Sequence, residues 1–181
     1  MAGAKEPKQY TGRRAYLNDF HLNDKGEYVF MGRMMSFDEE HMTYRQYIVR
    51  SVLSAVIMIA ATALAECLPA VGLSRFGFTA IPWALQMVMT ALTAYAVWKT
   101  AFGKNPMREY VYKSSTEKLP GRVILAAAFS LLTVIADTVY ILIKGWEGVV
   151  LYTALRPALS LVCGVTAFLF SRMLKKTAWK A

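Results

Sequence analysis

Residues 123–170, VILAAAFSLLTVIADTVYILIKGWEGVVLYTALRPALSLVCGVTAFLF, decide the fold. They form two apolar runs, 123–143 and 149–170, joined by Lys144-Gly145-Trp146-Glu147-Gly148. Each run has the roughly 20 residues that a hydrocarbon core of about 30 Å demands. The ionisable side chains inside them are Asp137 on the first and Arg156 on the second. Both stand about two turns from the joining segment, roughly 9–12 Å at 1.5 Å per residue, so a hairpin brings them to one depth, where they pair.

The rest of the chain repeats this pattern. Of 181 residues 56% are hydrophobic, and the mean hydropathy is +0.33, too apolar for an ordinary soluble domain. Two further runs at 48–68 and 78–98 account for the excess. Pro69 and Gly72 break the first of these, and Pro82 falls near the first turn of the second, where a missing N–H costs little. The expected fold is an all-α membrane protein of four transmembrane helices, arranged as two tandem helical hairpins, with a small cytoplasmic β-hairpin region. Trp83 and Trp146 fall at one interface, Trp98 and Trp179 at the other.

The net charge of +9 is placed for a membrane and not for nucleic acid. The short loops hold Arg75 and Lys144, whereas the connection 99–122 holds Lys99, Lys104, Arg108, Lys113, Lys118 and Arg122. The basic tail 171–181 adds Arg172, Lys175, Lys176 and Lys180. By the positive-inside rule the chain belongs in the cell membrane with both termini cytoplasmic, its basic tails meeting anionic lipid headgroups. Residues 1–14 read as a disordered basic tail. Residues 15–47 read as a hairpin around Gly26, with Glu27-Tyr28-Val29-Phe30-Met31 as its β-rich arm, followed by an amphipathic helix. Ser36 and Glu39 make a capping box, which starts that helix at Phe37 and runs it through Arg50 into the first span, with Tyr44 and Tyr47 at headgroup level.

The two halves align. Glu27-Tyr28-Val29-Phe30 recurs as Glu109-Tyr110-Val111-Tyr112, Ser36/Glu39 as Ser114/Glu117, and Arg50 as Arg122. Ala65-Glu66 recurs as Ala136-Asp137, and Ala84-Leu85-Gln86 as Ala154-Leu155-Arg156. A tandem duplication with both copies entering from the cytoplasm makes Tyr28, Phe30, Tyr110 and Tyr112 equivalent residues of cytoplasmic aromatic strands. It also makes Glu66, Gln86, Asp137 and Arg156 one intramembrane polar layer.

Helical spacing supports the layer: Ser130, Thr133, Asp137 and Tyr140 share a face, as do Thr153, Arg156, Ser160, Cys163 and Gly164. Thr79, Gln86, Thr90 and Thr93 form a stripe on the second run, and Ser51, Thr62 and Glu66 one on the first, so four helices can turn polar or small faces inward. Pro157 should bend the fourth helix beside Arg156. Asp137 and Arg156 neutralise one another, Gln86 bonds within the layer, and Glu66, with no second cation in view, reaches headgroups or water near Pro69 or serves as a protonatable site.

Cys67 and Cys163 read as small core-filling thiols, and His21 and His41 as solvated side chains, so no metal or other cofactor is expected. Neither a nucleophile beside a base nor a Gly-x-Ser-x-Gly turn is present, so an enzyme is not expected. The expected role is a non-enzymatic accessory or scaffold subunit of a membrane complex, with a protein partner or a second copy. The alternative is a small oligomeric transporter or channel using the intramembrane carboxylates. The large hydrophilic share of the chain favours the subunit.

Overall fold

A computed structural model describes Leu17 and residues 19–23, 26–68, 73, 76–103, 105–146 and 149–180. The expected basic tail 1–14, the breaks at Pro69 and Gly72, the loop cation Arg75 and the pair Glu147-Gly148 lie outside the described residues.

Four long helices dominate: α1 (Tyr44–Cys67), α2 (Gly77–Ala101), α4 (Leu119–Lys144) and α5 (Val150–Leu174), with a short α3 (Glu109–Ser114) between α2 and α4. All four are long and apolar enough to cross a membrane. Their side chains are distributed as lipid requires. Leu142, Ile143, Leu151, Ile81 and Leu169 face outward, while Thr79, Gln86, Thr90, Thr93, Ser130, Thr133 and Ser160 are buried. In water that inversion would be ruinous; in hydrocarbon, small and polar residues are what brings helices together.

The helices pack in a ring, α1 on α2, α2 on α4, α4 on α5 and α5 on α1. Each contact is antiparallel: the hydroxyl of Tyr44 at the start of α1 donates to the carbonyl of Thr100 at the end of α2, and the ring of Phe76, just before α2, meets Tyr140 late in α4. Gly164 lets α5 approach α4 closely, because a Cβ there would stand 3.1 Å from Ser130 Oγ, and the Ser130 hydroxyl donates to the Ser160 carbonyl. Buried positions recur at fixed spacing. Gln86, Thr90, Thr93, Val97 and Thr100 of α2 stand 70 residues before the buried Arg156, Ser160, Cys163, Ala167 and Phe170 of α5. Ala55, Thr62 and Ala65 of α1 stand 71 residues before Ala126, Thr133 and Ala136 of α4. Pro157 lies inside an unbroken α5, and Pro82 is the sixth residue of α2, beyond the first turn that its sequence position suggested.

A β-rich cap covers one end of the bundle. Strands β1 (Phe20–Leu22) and β2 (Tyr28–Phe30) pair antiparallel, with Phe20 opposite Phe30 and with Gly26 at φ +79° in the turn, as its position before Glu27 suggested. A second sheet has the order β4-β3-β5, from β3 (Met34–Phe37), β4 (Met107–Arg108) and β5 (Trp179–Lys180). Arg108 joins the two sheets by lying over the rings of Phe20 and Phe30 at 5.3 and 4.8 Å.

The cap corrects three expectations. Ser36 belongs to β3, so its capping box with Glu39 does not form; α1 starts seven residues after Phe37, at Tyr44, capped by Thr43 with Gln46 in the reciprocal role. Glu39 instead accepts a hydrogen bond from the Tyr44 backbone N–H at 3.1 Å. Tyr110 and Tyr112 are not strand residues: the EYVY segment is α3, and Ser114 closes that helix where a cap for the next was expected. The strand pairing with β3 in that connection is the preceding Met107–Arg108. The C-terminal segment is not a free tail, since α5 runs to Leu174 and β5 pairs with β3, Trp179 opposite Phe37. Tyr47 is fully buried and packs with Phe37, Tyr44 and Trp179 into an aromatic cluster that pins the cap to the bundle.

Candidate functional site: a buried arginine between two carboxylates

The polar layer forms at the far end of the bundle from the cap. Asp137 lies on the inward face of α4, one helical step from Thr133 and Tyr140, and its side chain is 0% exposed. Arg156 projects from α5 and is 1% exposed; its Nη1 stands 3.7 Å from Asp137 Oδ1. The two residues share a depth because the hairpin turn is nearly equidistant from them, as spacing along the chain implied.

Glu66 also reaches this guanidinium, with Oε2 at 3.8 Å from Nη2 and a side chain 41% exposed. The sequence offered Glu66 no second cation because α1 and α5 are far apart in the chain. Closure of the ring makes them neighbours, so Arg156 stitches α1, α4 and α5 together. The formal charge of the three is −1.

Both separations exceed the roughly 2.7–2.9 Å of a charge-assisted hydrogen bond. Asp137 Oδ1 and Oδ2 and the three guanidinium nitrogens of Arg156 are buried without a hydrogen-bond partner, although the ion pairs hold. Such a cluster is electrostatically coupled but geometrically loose, which leaves it able to rearrange.

Gln86 is wholly buried on α2 and donates from Nε2 to Thr62 Oγ1 at 3.3 Å, while its Oε1 has no partner. Thr62 in turn donates to the Met58 carbonyl at 2.8 Å and touches Cys163 Sγ at 3.5 Å. Gln86 therefore bonds one turn below Glu66, within its own hairpin, and not to a charged member of the layer. The stripes read from the sequence are buried throughout, from Thr79 to Thr93 on α2, from Ser130 to Tyr140 on α4 and from Thr153 to Cys163 on α5. Glu66 is the member left open to the outside.

It opens onto a groove of about 350 Å³ between α1 and α2. Ile59, Thr62, Ala63 and Glu66 form its α1 wall, and Trp83, Met87, Thr90 and Ala91 its α2 wall. The Trp83 indole N–H is buried there without an acceptor. No sequence pattern flagged this groove, because it is made of ordinary span residues on two helices. Among the described residues no three His, Cys, Asp or Glu side chains converge as a metal site would require. Comparison with known protein families, with curated proteins and with solved structures finds no match.

Tyr28, Phe30, Tyr110 and Tyr112, the other residues singled out by the repeat, do not come together. Phe30 packs on Phe20 and under Arg108, Tyr28 is 75% exposed, and Tyr112 stacks on Trp179 at 5.5 Å. Cys163 is buried and fills the core as expected, whereas Cys67, the last residue of α1, is exposed and does not.

Proposed function

We propose that the chain lies in the cell membrane with the cap and both termini in the cytoplasm, built as two tandem hairpins, and serves as a non-enzymatic accessory or scaffold subunit. The observation that carries this reading is the cap. Segments from before α1, between α2 and α4, and after α5 are all drawn into one layer through β3, yet its outer hairpin leaves Tyr28 75% and Met31 72% exposed. A two-stranded ribbon is marginal alone, and large apolar residues presented outside the helical segments mark an interaction surface. The basic residues near the helix ends on this side, Arg50, Arg172, Lys175 and Lys176, line a shallow recess together with Met42, Leu169 and Met173, and their charges suit anionic lipid headgroups. The equal spacing of buried residues in the two hairpins supports the duplication.

Replacing Tyr28 and Met31 together by Ser tests the role. The protein should fold with unchanged thermal stability yet release the partner that co-purifies with the wild type from its own membranes in mild detergent. Recovery of the wild type alone, as a stable monomer, would overturn the subunit reading. A half-exposed Glu66 sharing one arginine with a buried Asp137 favours a second reading, a small oligomeric transporter. That reading gains if reconstituted protein carries a proton-dependent flux that Glu66→Gln abolishes.

A further inference from the structure

We infer that the groove between α1 and α2 is a lipid site for an ammonium-bearing phospholipid, the head held by Glu66 and one acyl chain lying in the groove. The inference rests on the bilayer placement proposed above and is independent of the scaffold role.

Two features define the occupant. The first is charge: two carboxylates share one arginine, and the surplus negative charge is accessible only at Glu66, since Asp137 is fully buried. A cation at Glu66 would complete the cluster. The second is direction. Glu66 is the penultimate residue of α1 and Trp83 lies in the second turn of α2, so both sit near the end of the bundle opposite the cap. Ile59 and Ala91, at the other end of the groove, lie about two turns deeper, roughly 10–12 Å. The polar groups thus face the membrane surface and the apolar walls run toward its centre, which is how a lipid of that leaflet is oriented.

An ammonium head above an acyl chain meets both requirements. A choline head brings charge without N–H donors for Glu66, and a glycerol head brings no cation.

The test uses Trp83 as reporter. A protein with Trp98, Trp146 and Trp179 replaced by Phe is reconstituted in phosphatidylcholine vesicles. A minor fraction of lipid with brominated chains is added, with ethanolamine, choline or glycerol heads in turn. Quenching of Trp83 by all three heads reports bilayer placement. Quenching by the ethanolamine lipid should exceed that by the choline lipid about fivefold in apparent affinity, the order that one charge-assisted contact supplies. Glu66→Gln should remove this preference while quenching by the other heads persists. Equal quenching by the three heads, or a preference that survives Glu66→Gln, overturns the site. So does protection of Trp83 from every brominated lipid, whether the groove lies outside the bilayer or under a second protein chain.

Because Trp179 belongs to the aromatic cluster of the cap, the unaltered chain gives a second readout. The wild type purified from mixed vesicles should retain ethanolamine over choline lipid by native mass spectrometry, and Glu66→Gln should retain them in bulk proportion. Retention in bulk proportion by the wild type also overturns the proposal.

Discussion

The two helical hairpins bury residues at matching positions and do different chemistry with them. In α1–α2 the polar pair is Glu66 with Gln86; in α4–α5 it is Asp137 with Arg156, at the corresponding spacing. Gln86 is bonded locally, through Nε2 to Thr62 of its own hairpin. Arg156 is not, and spans from Asp137 to Glu66 of the other hairpin. One substitution of amide for guanidinium at equivalent places thus separates a residue that closes a hairpin from one that joins two. A charge inside hydrocarbon must be answered from wherever an opposite charge can be found, whereas an amide accepts a hydroxyl one turn away.

Arg156→Gln breaks this difference most severely. It leaves Asp137 buried without a countercharge, and loss of one partner of a buried pair costs about 3–5 kcal/mol. Reversible unfolding in mixed detergent, followed by helix content, should show a loss of that size. Adding Asp137→Asn to the same chain should recover most of it, because the uncompensated charge is then gone. A double variant as unstable as the single one would mean that Arg156 acts by packing and not by charge.

Gln86→Leu probes the other hairpin and should do much less. Its bond to Thr62 is neutral and internal, and interhelical hydrogen bonds in membranes average about 0.6 kcal/mol. The same unfolding measurement should therefore detect a change of about 1 kcal/mol or less. A loss approaching that of Arg156→Gln would show that Gln86, through its unpartnered Oε1, belongs to the charged cluster after all.

The contrast also explains which features could be read in advance. The four helices and the depth shared by Asp137 and Arg156 were legible because both follow from spacing along one continuous stretch of chain. The Glu66–Arg156 contact was not, since 90 residues separate the partners and only closure of α5 against α1 brings them together. The groove beside Glu66 was hidden for the same reason. At the cap, local signals were degenerate. Both Ser36/Glu39 and Thr43/Gln46 satisfy the capping-box pattern, and pairing of Ser36 with Lys180 in the sheet decided which one forms. EYVF and EYVY are nearly the same tetrapeptide, but Tyr28–Phe30 has an antiparallel partner in β1, whereas Glu109–Tyr112 follows Arg108 into a helical turn tied by a Glu109–Lys113 pair at 2.7 Å. Sequence similarity there reports descent or chance, and tertiary pairing sets the conformation.

The same logic predicts a weaker, pH-dependent behaviour at the cap. Asp38, just after β3, and Lys180 in β5 form an ion pair at 2.7 Å on the exposed side of the sheet, outside the helical segments. The hydrogen bond from Lys180 holds the Asp38 carboxyl below its usual range, and the same bond raises the Lys180 ammonium above its own. A lowered acid contributes stability above its unfolded pKa and loses it as pH falls through its folded pKa; a raised base contributes below its unfolded pKa and loses it as pH rises through its folded value. The pair therefore holds β5 across the neutral range and releases it at both extremes. Because the Lys180 ammonium faces solvent, high salt should mimic the effect. Hydrogen exchange at the Asp38 amide, which donates to the Ala178 carbonyl at 3.0 Å, reads the contact directly. Exchange corrected for its intrinsic pH dependence should quicken modestly below the carboxylate range and in Asp38→Asn at neutral pH, while the helices keep their protection. No change in either would leave the pairing of β5 with β3 and the aromatic packing of Trp179 against Phe37, Tyr44 and Tyr47 to fasten the C-terminal strand without help from the ion pair.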